Sequence, residues 1–205
     1  MSIDAPDTRL RIVQATVKLL EGGEAQAIRM TDIADRAGVS RQAVYLHFAT
    51  RAELLAAATH YIEDVHGSQE RLAASRAART GLERLDAYID AWGNFIPDIF
   101  GAAKALMAMS DADDAAATTW RARMRDMREG CEAAILALKR DKMLAPRYSP
   151  AQATDLLWML LSVRNWEHLN ITCGWSQTQY IDAMKAMARD LFVKDGASTR
   201  RARSK

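Results

Sequence analysis

Apolar residues recur along most of the chain at intervals of three and four, which is the spacing of one face of an α-helix. The first such face is formed by Leu10, Val13, Val17 and Leu20. Val and Ile do not cluster into alternating runs, and Gly and Pro are few, so helix is favoured over strand. The pattern therefore predicts an all-α chain of about nine helices.

Capping residues and chain breakers indicate where these helices begin and end. Gly22-Gly23 ends the first helix. Ser40 and Ser176 are N-cap candidates, and Thr50 with Glu53 forms a T-x-x-E capping box. The predicted helices lie near residues 8–21, 31–37, 41–48, 51–65, 81–92, 95–109, 113–141, 150–172 and 177–193.

Two of these helices are short and are joined by a tight turn. Residues 31–48 contain a short helix, the turn A-G-V-S and a second short helix, which is the sequence form of a helix-turn-helix. At about 100° per residue, Val44 and Phe48 share the inward side of the second helix. Gln42 and Leu46 lie on the opposite side. The second helix is therefore predicted to enter the major groove of DNA.

The outward residues of this second helix have the chemistry that reads DNA. Arg41 can pair with guanine, Gln42 with adenine, and Ala43 can touch a thymine methyl. Tyr45 and His47 are placed to hydrogen-bond phosphates, which fixes register rather than sequence. The alternative is an ordinary solvated helix face.

Further phosphate contacts are predicted around the two helices. Arg51 offers a charged contact, and the backbone N–H groups near Thr31 and Thr50 offer others. The full set of residues predicted to contact DNA is Thr31, Ser40, Arg41, Gln42, Ala43, Tyr45, His47, Thr50 and Arg51.

The chain resembles the N-terminal domain of the TetR family of regulators from about Arg9 to Ala58, in the run T-D-I-A-D-R-A-G-V-S-R-Q-A-V-Y-L-H-F-A-T-R-A-E-L-L that begins at Thr31. The resemblance implies a three-helix DNA-binding unit, a long linking helix, a homodimer and a ligand-responsive C-terminal domain. It also implies that the DNA contacts are made by Arg41, Gln42, Ala43, Tyr45, His47 and Arg51.

The sequence departs from the family pattern at a few positions. Arg29 stands where the family usually has a Ser or Thr cap, so Thr31 is the alternative cap and would shift the helix start. Arg51 replaces the more usual Lys and keeps the charge. The loop that starts at Gly22 lacks an aromatic residue that often follows there.

Three regions are expected along the chain. Residues 1–50 form the helix-turn-helix DNA-binding domain, residues 51–193 a helical effector-binding and dimerisation domain, and residues 194–205 a disordered basic tail. Seven basic and seven acidic residues cancel within residues 1–60, so bulk charge does not reveal the DNA-binding domain. The tail carries five basic residues and one acidic residue, and could bind phosphates or simply be solvated.

Aromatic, Met and a few polar residues of the C-terminal region are candidates for lining an effector pocket. Such side chains are equally expected in a core, and the polar ones at a surface or an interface. The candidates suggest a small-molecule effector that is largely apolar. They are Trp92, Phe95, Phe100, Met107, Trp120, Met124, Trp158, Asn165, Trp166 and His168.

The last two predicted helices are the candidates for a homodimer interface. A single short reading helix contacts few bases, so useful specificity favours two half-sites and hence a dimer. The same apolar residues could instead be buried against the core of their own domain. The interface candidates are Leu156, Leu157, Leu160, Leu161, Met184, Met187 and Leu191.

Several other classes of protein are disfavoured. There is no H-E-x-x-H, no paired-Cys zinc spacing, no G-x-S-x-G and no phosphate-cradling Gly loop, so we expect no enzyme, no metal site and no cofactor. No signal peptide and no run of about 18 apolar residues is present, which favours a cytoplasmic protein without a membrane partner. The two isolated cysteines, Cys131 and Cys173, fit a reducing compartment.

The sequence thus predicts a sequence-specific DNA-binding regulator. The favoured mechanism is a repressor released from a palindromic double-stranded operator by a small effector. The alternatives are an architectural or protein-recruiting DNA-binding factor without an effector, and an activator, which differs only in operator position.

Overall fold

The computed structural model describes residues 7–22 and 28–194. Residues 1–6, residues 23–27 and all of the predicted tail except Lys194 lie outside the described residues. The described part is helical and contains no strand, which confirms the all-α prediction. None of its helices combines the length and the hydropathy that a membrane span needs.

Eleven α-helices and one π-helical segment make up the described chain. They are α1 Thr8–Glu21, α2 Met30–Ala37, α3 Arg41–His47, α4 Arg51–Val65, α5 Ser68–Arg71, α6 Ala73–Ala77, α7 Gly81–Met109, α8 Asp114–Arg140, α9 Pro150–Leu160, α10 Val163–Trp166, the π-helix Glu167–Thr172 and α11 Gln177–Phe192.

The chain divides into two compact units. The first contains the described residues of 1–67 together with 98–123, and the second contains 68–97 together with the described residues of 124–205. The first unit has a single apolar core in which Ile12 of α1, Ile33 of α2 and Val44 of α3 are fully buried. Leu54 of α4 and Leu106 of α7 pack into the same core. Burial of this common core is what holds α1 to α4 together.

This division differs from the domain boundary expected near residue 50. Helix α4 packs closely against α1, because Leu54, Leu55 and Ala58 face the core that α1 also faces. Residues 98–109 of α7 and 114–123 of α8 complete this unit. The helix-turn-helix is therefore built into a larger folding unit than residues 1–50.

The second unit is held by an apolar stripe of α8 and by buried polar contacts. Met127, Cys131, Ile135 and Leu138 recur at helical spacing along this stripe and are all buried. The Tyr88 hydroxyl donates to the carbonyl of Met127 at 2.7 Å.

Helix α7 is continuous where the sequence predicts two helices, 81–92 and 95–109, although Pro97 lies inside it. Pro97 has no N–H to donate to the carbonyl of Gly93 four residues earlier. Gln177 Nε2 donates to that carbonyl instead, at 2.6 Å. The second unit thus satisfies the acceptor that the proline leaves open, and the helix continues.

The predicted helix 150–172 is interrupted after Leu160. Ser162 begins a new helix by accepting from the amide of Asn165 at 3.2 Å. Asn165 Nδ2 donates to the carbonyls of Met159 and Leu160 at the end of α9. A π-helical segment, Glu167–Thr172, follows. The interruption is stabilised because these side chains satisfy the backbone groups that a helix end leaves open.

The two cysteines are free and differ in environment. Cys131 is fully buried beside the Tyr88 hydroxyl, and burial raises the pKa of its thiol to about 12, whereas Cys173 is exposed. Because the thiolate is the reactive form, an aromatic disulfide reagent at pH 8 is expected to titrate one thiol per folded chain. The variant Cys173→Ser should abolish this reaction and Cys131→Ser should leave it intact. Two rapidly reacting thiols in the folded protein would show that the α8 core opens.

Candidate nucleic-acid interface

The turn before α3 is held in a defined conformation. Gly38 has a φ of +65°, which favours glycine, and the Val39 amide donates to the carbonyl of Ala34 at 3.0 Å. Arg11 of α1 donates from Nη2 to the carbonyls of Ala37 and Gly38, at 2.6 and 3.2 Å. The last carbonyls around the end of α2 are thereby satisfied. These contacts fix the direction in which α3 begins.

The start of α3 is capped as predicted. Ser40 Oγ accepts from the amide of Ala43 at 3.1 Å. Val44 and Phe48 are fully buried, so they form the inward side that the helical spacing predicts. The inward side pins this short helix to the core of the first unit.

The opposite side of α3 is open to solvent. Arg41, Gln42, Tyr45 and His47 are exposed, and Ala43 is half-buried. The exposed side of the helix thus carries donors, acceptors and an aromatic hydroxyl, which is the chemistry that reads base edges and phosphates. The predicted inward and outward faces are confirmed, and contact of the outward face with DNA stays a prediction.

Arg41 and Tyr45 lie together on this face. The Arg41 guanidinium carbon is 5.5 Å from the centre of the Tyr45 ring, and Nη2 is 3.5 Å from the Tyr45 hydroxyl. This stacking restrains two flexible side chains before any ligand is bound. Leu46, which the site prediction did not include, is 80% exposed on the same short helix. An apolar side chain so exposed beside Gln42 could have been noticed from the helical spacing alone.

The two helix starts at which phosphate contacts were predicted, those of α2 and α4, are capped differently. Helix α2 begins at Met30 with Arg29 at the N-cap position, so Thr31 is exposed within the first turn and is not the cap. The Asp32 carboxylate accepts from the Arg29 amide at 2.9 Å, which is the contact that the N3 residue makes in a capping box.

Thr50 does cap α4, because its Oγ1 accepts from the amide of Glu53 at 3.1 Å. The reciprocal half of the predicted capping box is displaced by one residue. Glu53 Oε2 accepts from the amide of Ala49, at 3.1 Å, rather than from that of Thr50.

Arg51 does not present the free guanidinium that a phosphate contact was expected to use. Its Nη1 is paired with the carboxylate of Asp113, and its Nε donates to the carbonyl of Ile28 at 2.5 Å. Nη2 lies 3.7 Å from the sulfur of Met109. Every nitrogen of the side chain therefore has a partner within the first unit. The sequence could not reveal this, because Asp113 lies 62 residues away in the chain.

Asp113 serves two purposes at once. Its Oδ1 accepts from the amides of Ala115 and Ala116, at 3.0 and 3.1 Å, at the start of α8. Burial raises the pKa of this carboxyl, but the hydrogen bonds from Arg51 and Ala116 outweigh burial, and the pKa falls below its usual value.

Replacing Asp113 by asparagine is expected to lower the free energy of unfolding by about 1–3 kcal/mol at pH 7. Asparagine keeps an oxygen for the α8 amides but removes the charge opposite Arg51. The pKa of Asp113 is lower in the folded chain than in the unfolded chain, where it is near 4. The stability that the ionised carboxylate contributes is therefore complete above the unfolded pKa and is lost as the pH falls through the folded pKa. The difference between variant and wild type in urea titrations should therefore shrink below pH 4.

The neighbouring exposed carboxylate, Asp111, supplies the control. Asp111→Asn should change the free energy of unfolding by less than about 0.5 kcal/mol. Equal stability of Asp113→Asn and wild type at pH 7 would mean that the Arg51 pair contributes nothing.

The effector-pocket candidates are distributed over both compact units. Phe100, Met107 and Trp120 belong to the first unit. The second unit holds Trp92, Phe95, Met124, Trp158, Asn165, Trp166 and His168.

Several of their polar groups are already engaged. Trp92 Nε1 donates to the carbonyl of Leu161 at 2.8 Å, and Trp166 Nε1 donates to Gln177 Oε1 at 2.9 Å. The amide of Asn165 is used at the end of α9. His168 is exposed, and its Nε2 is 3.8 Å from the sulfur of Cys173. A pocket role for these residues stays a prediction.

The predicted dimer residues also divide into two groups. Leu157, Leu161 and Met184 are buried within their own protomer, and their predicted role at an interface stays a prediction. Leu156, Leu160 and Leu191 are half-buried, and Met187 is exposed. The structure adds exposed apolar residues that sequence reasoning missed, namely Met159, Ile171 and Trp175.

Comparison with known proteins gives matches at two levels. Residues 12–58 match the family described as bacterial regulatory proteins, tetR family. A relative from Pseudomonas putida, described as an HTH-type transcriptional regulator, ArpR, is 30% identical over 82 residues. That alignment covers 40% of this chain and 38% of the relative, so the chain matches less than two thirds of the relative's length.

Solved structures match over nearly the whole chain. SmeT of Stenotrophomonas maltophilia, described as the repressor of the multidrug efflux pump SmeDEF, has a TM-score of 0.67 with 23% identity and covers 93% of each chain. A protein from Saccharomonospora viridis in complex with choline has a TM-score of 0.71 with 14% identity, over 93% of this chain and all of the other. A TetR transcription regulator from Haloarcula marismortui has a TM-score of 0.66 with 19% identity, over 93% of this chain and all of the other. At these identities the likeness shows the shared fold.

Proposed function

Because residues 12–58 of this chain match the tetR family of bacterial regulatory proteins, we propose that the protein is a DNA-binding transcriptional repressor released from its operator by a small molecule. The observation that carries the proposal is the exposed face of α3. A helix of seven residues is fixed by a capped turn and two buried anchors, and it turns an arginine, a glutamine and a tyrosine toward solvent. Such a rigid, polar, outward helix is what major-groove reading requires.

The proposed active species is a homodimer. Seven residues of reading helix contact only a few base pairs, so two copies about 34–36 Å apart would be needed to read a near-palindromic operator. Exposed or half-buried apolar side chains in α9, the π-helix and α11 support an interface there. Met159, Ile171 and Met187 are the exposed members of that set.

The proposed effector is a largely apolar small molecule. The half-buried aromatic side chains of Trp92 and Trp158 support this class. The descriptions of two proteins with this fold are in line with a ligand-responsive repressor, since one is the repressor of a multidrug efflux pump and the other is in complex with choline. An effector releases DNA only as far as it favours the conformation that binds DNA poorly.

The first experiment is to capture genomic fragments of the source organism on the purified protein in about 0.15 M salt and to sequence them. A short palindromic consensus, bound by two protomers in analytical ultracentrifugation, is the expected result. Expression of the gene beside such a site should rise when the protein is deleted. A fall in expression would indicate an activator instead.

Two other outcomes would overturn parts of the proposal. Enrichment without any consensus, lost steeply as salt rises, would mean binding through phosphates alone. This result would favour an architectural DNA-binding factor without an effector. A consensus whose binding no apolar compound weakens, across a broad panel in a fluorescence anisotropy assay, would remove the effector from the proposal and leave the operator.

A further inference from the structure

A groove of about 340 Å³ lies between α1 and α2. The charged side chains that line it are Arg11 and Lys18 of α1 and Arg36 of α2, and Gln14, Ala15 and Ala37 complete it. The carboxylates of α2, Asp32 and Asp35, are not among the lining residues. The groove therefore concentrates three positive charges without a lining counter-charge.

One end of this groove reaches the turn that leads into α3. The Arg11 guanidinium contacts the carbonyls of Ala37 and Gly38, and Ser40, two residues further, caps the reading helix. Lys18 lies two turns along α1 from Arg11, which is about 10 Å away. The line of charge thus starts beside the reading helix and extends away from it.

We propose that this groove binds the sugar-phosphate backbone of DNA beside the half-site that α3 reads. Successive phosphates of one strand advance about 3.4 Å along the DNA axis and lie further apart along the backbone itself, so a track of about 10 Å meets about two of them. The groove is polar and open, which fits an extended anionic backbone and does not fit an enclosed apolar ligand. The proposal rests on the DNA-binding function proposed above and adds a site outside the residues predicted to contact DNA.

The groove residues differ in whether they can be replaced without disturbing the fold. Arg11 satisfies two carbonyls at the end of α2, so its removal would disturb the turn itself. Lys18 and Arg36 are exposed, and their replacement should leave the fold unchanged. The test variant is therefore Lys18→Ala with Arg36→Ala. The matched control is Arg121→Ala with Lys139→Ala, which removes the same two residue types from exposed positions on α8.

The measurement is the affinity for a consensus duplex and for an unrelated duplex of equal length, at several salt concentrations. Loss of two phosphate contacts in each protomer of the bound dimer should lower the slope of log K against log salt by about 3–4 and weaken both duplexes by about 100-fold or more near 0.1 M salt. The control should match the wild type in slope. Fragment selection with the groove variant should return the wild-type consensus, because phosphate contacts carry no sequence information.

An unchanged salt slope in the groove variant would overturn the proposal while leaving the proposed function intact. Free inorganic phosphate is the competing source of the same chemistry. Binding of free phosphate would raise the melting temperature of the wild type above its value in chloride at equal ionic strength. If the groove variant loses this gain but keeps the wild-type salt slope, the site binds a free anion and not DNA. If the wild type binds neither duplex even in low salt, the proposed function itself fails, and the groove proposal fails with it.

Discussion

Replacing Arg41 and Tyr45 together by alanine is expected to weaken operator binding by about 100-fold or more. A good base contact contributes roughly 1–3 kcal/mol, and 1.4 kcal/mol corresponds to a factor of ten. The two side chains are stacked on each other, so the double substitution also removes the mutual restraint that holds them in place. Fluorescence anisotropy with a labelled consensus duplex measures the effect.

The single substitutions separate the two roles. Arg41→Ala should relax the preference at one base position, whereas Tyr45→Phe should weaken all sequences about equally, since a phosphate contact carries no base information. Arg121→Ala is the control, because this exposed arginine likewise bonds a side chain one turn away, Thr118. Retention of wild-type affinity by a folded Arg41→Ala, Tyr45→Ala protein would refute α3 as the reading helix.

The substitution Gly81→Ala is expected to cost about 3 kcal/mol of unfolding free energy or more, which is a large part of the stability of a typical domain. A Cβ on Gly81 would lie 2.5 Å from the backbone nitrogen of Leu138 and 2.7 Å from the carbonyl oxygen of Ala137. Both neighbours are backbone atoms of α8, so no side-chain rotation can relieve the clash. The start of α7 would have to move away from α8.

Such a movement would break a further contact. The Gly81 amide donates to Asp141 Oδ2 at 2.6 Å, which joins the start of α7 to the residue after α8. Gly174→Ala provides the comparison, since a Cβ there meets no atom within 4 Å and only the φ of +72° is unfavourable, at about 1 kcal/mol. Urea titrations of both variants should rank Gly81→Ala as the more destabilised. The reverse order would show that α7 and α8 can separate here without loss.

Local features of the candidate site could be predicted from the sequence, because they depend on neighbours a few residues away. The cap at Ser40, the glycine turn and the inward pair Val44 and Phe48 all follow from helical spacing and backbone preference. The outward face of α3 follows for the same reason.

Features that depend on distant partners could not be predicted. Nothing near Arg51 in the sequence indicates that Asp113 will occupy its guanidinium. Leu157 and Leu161 have the spacing of an apolar helix face, and that spacing is the same whether the face meets its own core or a second copy. The packing of α4 against α1 could not be predicted for a similar reason, since the spacing of the apolar face of α4 does not indicate which helix it will cover.

The helix that passes through Pro97 makes two positions depend on each other. Gly93 loses its usual donor to the proline and gains one from Gln177, 84 residues later. In a chain with alanine at position 97, the glutamine would be dispensable for this purpose. In the present chain its loss leaves a carbonyl without a donor. The effect of replacing Gln177 therefore depends on the residue at position 97, and the order in which the two residues arise in evolution is constrained. A lineage reaches this pair most easily when the glutamine comes first.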